Sequence, residues 1–173
     1  MRWLISMNAL LMTGVAWGQT GPLLYPLFQD HAVLQRDRAV QVWGTTEATA
    51  DVTVSIAGHT VNGRAEANGA WSVSLPAIAA GGPYELVARS SNGQSQVVRD
   101  VLVGDVWLCS GQSNMEMPVN RVTNWETELN DARYPQIRLL TVQRASSDVP
   151  LTSFTAPVAW SPVTPESIRE FAA

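Results

Sequence analysis

The 173-residue chain has no lysine, one cysteine and two histidines. With Cys109 alone, no disulfide can form within the chain, and no cysteine and histidine spacing matches a zinc site. The eleven basic residues are all arginines, scattered without a basic run, and the formal charge is −4. That balance argues against nucleic acid as the principal partner. Nor is there an apolar run of the roughly 20 residues that a spanning helix needs. The nearest is residues 3–15, which follow Arg2 and precede the small-x-small site Ala16-Trp17-Gly18. Residues 1–18 therefore read as a signal peptide, which predicts a secreted or periplasmic protein with no stable membrane anchor.

What remains is globular in composition, with 46% hydrophobic and 15% charged residues. From residue 22 to 99 the pattern is that of short strands. Val40-Gln41-Val42-Trp43-Gly44, Asp51-Val52-Thr53-Val54-Ser55-Ile56, Trp71-Ser72-Val73-Ser74-Leu75 and Tyr84-Glu85-Leu86-Val87-Ala88 largely alternate in polarity. Alternation puts one face into a core and the other into water. Turns at Ala57-Gly58-His59, Ala67-Asn68-Gly69 and Ser91-Asn92-Gly93 supply the positive φ that hairpins require. The segment predicts an antiparallel β-sandwich, with Trp43 and Trp71 in its core and sugar stacking as the secondary reading for either.

After Asp100 the pattern changes. Residues 101–109 are apolar without clean alternation and predict a strand buried on both faces, with Trp107 inward and Cys109 a core thiol. Thr123-x-x-Glu126 reads as a capping box opening a helix over 124–133, with Trp125, Leu129 and Ala132 on its buried stripe. Residues 137–142 predict a second strand, making a right-handed βαβ unit with 101–109. Thr164-Pro165-Glu166 predicts another helix start, with Ile168 and Phe171 beginning its apolar face. One βαβ unit cannot cover both faces of a parallel sheet, so residues 100–173 read as the beginning of an α/β domain, incomplete in this chain.

The chemistry lies where the apolar run breaks, at Cys109-Ser110-Gly111-Gln112-Ser113-Asn114-Met115-Glu116. A serine just past a strand's carboxyl end sits where α/β folds place their chemistry. Gly111-x-Ser113 partly echoes a nucleophile elbow, but Met115 stands where that motif needs glycine, which argues against an α/β-hydrolase lipase or esterase. Gly-Asp-Val-Trp-Leu followed by Gly-Gln-Ser-Asn-Met resembles the sialate O-acetylesterases, carbohydrate esterases of the SGNH hydrolase superfamily. The resemblance also runs through Asp30-His31-Ala32-Val33-Leu34-Gln35-Arg36, Val42-Trp43-Gly44, Gly69-Ala70-Trp71, Gly82-Pro83-Tyr84 and Trp160-Ser161-Pro162. It implies a β-sandwich followed by the start of an SGNH (flavodoxin-like) hydrolase domain, acting on O-acetylated carbohydrate without cofactor or metal.

By that resemblance Ser113 is the nucleophile, and its backbone N–H is one oxyanion donor. Gln112 and Asn114 fix the turn or contact substrate, because an amide does not titrate usefully. A serine hydroxyl needs a histidine to take its proton, and that histidine needs orienting. The family's Asp-x-x-His block is not recognisable here. Asp30-His31 lacks its spacing and precedes the first alternating strand of the sandwich, and His59 falls at a hairpin. The expectation is an esterase nucleophile without its base, an inactive fragment. The competing reading is a secreted carbohydrate-binding or interaction module whose esterase segment is vestigial.

Overall fold

A computed structural model describes residues 21–172, so the leader read over residues 1–18 lies outside the described residues. Seven strands come first: β1 (Val33–Gln35), β2 (Val40–Thr45), β3 (Asp51–Ile56), β4 (His59–Arg64), β5 (Ala70–Leu75), β6 (Gly81–Ser90) and β7 (Ser95–Gly104). Five form one sheet in the order β1-β7-β6-β3-β4, while β2 pairs with β5. The alternation does what it predicts. Val52, Val54 and Ile56 of β3 are buried, as are Trp71, Val73 and Leu75 of β5, while Ser72 and Ser74 face water. Residues of both sheets meet in one apolar core, where each buried Val or Leu contributes about 1.5–3 kcal/mol. Ala57 and Gly58 join β3 to β4 with φ of 49° and 78°, the two left-handed residues of a tight hairpin turn.

The larger sheet is mixed, not purely antiparallel, because β1 runs parallel to β7. Trp71 is buried and donates its indole N–H to the Leu23 carbonyl at 3.1 Å, whereas Trp43 is half-buried.

Two short 3-10 turns follow, Ser113–Glu116 and Val119–Arg121, then α1 (Trp125–Asp131), β8 (Tyr134–Leu140), β9 (Trp160–Val163) and α2 (Pro165–Arg169). The βαβ unit expected over 101–142 does not form. Val101 to Gly104 belong to β7, antiparallel to β6, and β8 pairs antiparallel with β9. The pairing at β7's other edge ends where Gln35 faces Gly104, and Arg36 then takes the Gly104 carbonyl and the Asp105 carboxylate. With no further strand to pair among the described residues, the chain leaves the sheet. Trp107 and Leu108 are consequently 85% and 92% exposed, and Cys109 is exposed, not a core thiol.

The helix expected over 124–133 is shorter and starts differently. Asn124 caps α1 in a left-handed conformation with no side-chain cap bond, so the Thr123-x-x-Glu126 box is not made. At α2 the expected start holds. Thr164 caps it, Pro165 is its first residue, and Thr164 and Ser167 exchange hydrogen bonds as a capping box. Ala132, Leu139 and Val163 form a second small core, against which Ile168 and Phe171 pack.

Candidate active site

The approach to Ser113 is anchored at its start and open at its end. Gln35 accepts the Val106 N–H at 3.0 Å, and Arg36 holds Asp105 at 2.9 Å. Residues 105–112 then run without regular structure. Gln112 is extended, and its carbonyl accepts the Met115 N–H at 2.8 Å, closing the 3-10 turn that presents Ser113. A side chain at position 111 would crowd this turn, since a Cβ there would stand 3.0 Å from Met115 Cγ. Gln112, Ser113 and Asn114 are all exposed, and among the described residues their side chains have no hydrogen-bond partner. The first N–H groups of a helical turn lack intrahelical acceptors, and Ser113 opens this one.

No histidine reaches Ser113 in a hydrogen bond. His59 opens β4 on the surface. His31 is engaged elsewhere: its Nδ1 lies 2.6 Å from Asp100 Oδ2, while Arg138 Nη2 donates to both Asp100 oxygens at 3.0 and 2.9 Å. A carboxylate on histidine Nδ1 is how serine hydrolases orient their base. Here the carboxylate is shared with a buried arginine, and no serine completes the set among the described residues. The three side chains come from the segment before β1, from β7 and from β8, so the cluster ties the two halves of the chain together. Gln29 Nε2 to the Val158 carbonyl, 2.7 Å, and Trp160 Nε1 to the Leu27 carbonyl, 2.9 Å, reinforce that junction.

Sequence reasoning missed both this cluster and an aromatic cleft. Tyr25 lies 5.3 Å from Trp43 and 5.4 Å from Phe154 between ring centroids. The three line a cavity of about 370 Å³ together with residues of the 142–155 segment. That segment is bound to the serine turn by an ion pair, Arg144 Nε to Glu116 Oε1 at 2.8 Å. In the sequence Trp43 reads first as a core residue and only second as a sugar-stacking one, and nothing there joins it to Tyr25 or Phe154. Among the described residues, no three His, Cys, Asp or Glu side chains gather as a metal would need. No helix among them is long and apolar enough to cross a membrane.

No protein-family model matches the chain. It is 36% identical over 144 residues to the sialate O-acetylesterase of Mus musculus, which is 76% of this chain and 27% of that protein. The Homo sapiens sialate O-acetylesterase is 36% identical over 148 residues, 79% of this chain and 28% of the relative. A solved carbohydrate acetylesterase from Xanthomonas citri superposes with a TM-score of 0.83 at 41% identity, covering 88% of this chain and 35% of that one. The chain thus spans about a quarter of the length of the curated relatives it matches.

Proposed function

The chain belongs to a sialate O-acetylesterase-like family, and on that premise we propose that it carries the nucleophile of a carbohydrate O-acetylesterase. Ser113 attacks the acetyl carbonyl, and its backbone N–H donates to the oxyanion that develops there. Gln112 and Asn114, exposed on either side, contact the substrate or hold the turn. The seven-stranded part, residues 22–99 with the end of β7, is a β-sandwich. The part of residues 100–173 that lies past β7 opens an SGNH-like α/β domain that follows it. Residues 1–18 direct export to the periplasm or beyond, and the substrate is an O-acetylated glycan.

The observation that carries this reading is the turn at residues 113–116. It holds the serine out to solvent with its hydroxyl uncommitted, inside a stretch whose fold matches an acetylesterase. Neither histidine is within hydrogen-bond reach of Ser113, His31 being held by Asp100 and His59 lying on β4, so the 173-residue chain by itself is expected to turn over little ester. The test is acetate release from acetylated oligosaccharides by the protein at its full natural length, with and without Ser113→Ala. Loss of an activated nucleophile lowers turnover by about 10⁶ in triad hydrolases, and a loss of that order with an unchanged fold is expected. A variant that keeps a tenth of the wild-type rate would refute the assignment of Ser113.

A further inference from the structure

We propose that the cleft between Tyr25, Trp43 and Phe154 is a subsite for a neutral pyranose residue of the glycan, set beside the turn that carries Ser113. As a substrate subsite it rests on the esterase reading above; as a saccharide site it stands on the cleft alone. A pyranose ring is amphipathic. Its C–H bonds make an apolar face that gains dispersion contact on an aromatic ring, while its hydroxyls need hydrogen-bond partners when they leave water.

The cleft offers both. Tyr25 sits between Trp43 and Phe154, all three rings half-buried, with interplanar angles of 33° and 45° that keep the faces from stacking flat on one another. Core packing explains the inner side of this cluster, where Phe28 meets Trp43 edge-on at 4.9 Å. It does not explain Phe154, which comes from the irregular segment between β8 and β9 and belongs to neither apolar core. Around the rings stand Gln143, Thr152 and Ser153, exposed and without side-chain hydrogen bonds among the described residues. The volume, about 370 Å³, lies in the range of small-molecule sites.

Charge decides the class of sugar. Among the described residues, no charged side chain lines the cleft. An acidic sugar would bring a carboxylate into it with no cation to meet it, and an unpaired charge is costly to desolvate. The neighbouring Arg144 lends its Nε to Glu116 instead. That same pair couples the cleft wall to the serine turn, because Glu116 closes the turn Ser113 opens and Gln143 flanks Arg144.

The test follows the Trp43 indole N–H resonance of the 173-residue chain, assigned with Trp43→Phe, during titration with xylotetraose, cellotetraose or mannotetraose. A saturable shift is expected with at least one of these. It should persist in Ser113→Ala and weaken at least tenfold in Phe154→Ala, whose other resonances show the fold intact. The α-methyl glycoside of N-acetylneuraminic acid should bind at least tenfold more weakly than the best tetraose. Absence of saturation with all three tetraoses, binding unchanged in folded Phe154→Ala, or preference for the acidic glycoside would each overturn the proposal. Because binding is read without hydrolysis, a failed subsite with Ser113-dependent turnover intact leaves the nucleophile standing. The reverse result removes the nucleophile and leaves the subsite.

Discussion

Asp100 has two cationic or hydrogen-bonding partners and a backbone φ of 53°, and its partner His31 stands at 69°. Aspartate tolerates the left-handed region better than most residues, so the backbone can turn here while the carboxylate reaches both neighbours. Arg138 is the member at risk: its side chain is 4% exposed, and its Nε is buried with no partner. Asp100→Asn keeps the backbone preference and removes the charge, leaving the buried guanidinium uncompensated. Breaking a fully buried pair costs about 3–5 kcal/mol. With Asp100 33% exposed, solvent screening lowers the expected loss to about 2 kcal/mol. Urea unfolding of the two proteins measures it, and a loss under 0.5 kcal/mol on the order of a surface pair would show the cluster to be idle. None of this was legible in the sequence, because the partners lie 69 and 38 positions apart and only the packing of β8 against β7 and the segment before β1 brings them together.

Elements with a strict period were legible, and those defined by a missing neighbour were not. β3 and β5 were readable because each alternates over its whole length, and Leu86 of β6 marks the same buried face with no exposure at all. Leu86→Ala should therefore cost about 2–5 kcal/mol in unfolding experiments. Residues 106–108 are as apolar as a strand, yet they leave the sheet because no strand continues beside them; composition carries no record of that. The serine turn was readable for the opposite reason, since Gly111 and Asn114 signal a turn locally. Gly44, seen in the sequence only as part of a motif, has a steric cause: a Cβ there would come within 1.8 Å of the Leu23 carbonyl oxygen. At α2, the Glu166 carboxyl is held below the usual carboxylate range, first by its own backbone N–H, then by the Thr164 hydroxyl and the charge of Arg133. A lowered value means the folded helix favours the ionised form. Its contribution is present above the ordinary carboxylate range and is lost as pH falls through the lowered value. The Ser167 and Ile168 amide resonances should record this fraying on acidification, and Glu166→Gln should remove that pH dependence.

For the whole molecule, the exposed segment between the sheet and the serine has a cost in solution. Val106, Trp107 and Leu108 lie together on the surface, with Val149 and Leu151 exposed as well. Contiguous apolar surface of this kind marks an interaction site or an aggregation liability. The 173-residue chain should bind a hydrophobic dye such as ANS, and Trp107→Gln with Leu108→Ser should reduce that fluorescence without lowering stability; unchanged fluorescence would place the dye elsewhere. Hydrolysis of an activated acetyl ester by this chain should stay near background whether or not Ser113 is replaced. A substantial rate abolished by Ser113→Ala would instead place a base within these residues, with His31 and its Asp100 partner the first candidate. The central claim is that Ser113 itself takes the acetyl group, and trapping tests it most directly. The protein at its full natural length is quenched with acid during turnover of p-nitrophenyl acetate, digested and mapped by mass spectrometry. One acetyl group on Ser113, absent in Ser113→Ala, is the predicted result. Acetylation confined to another residue, with turnover unimpaired in the variant, would contradict it.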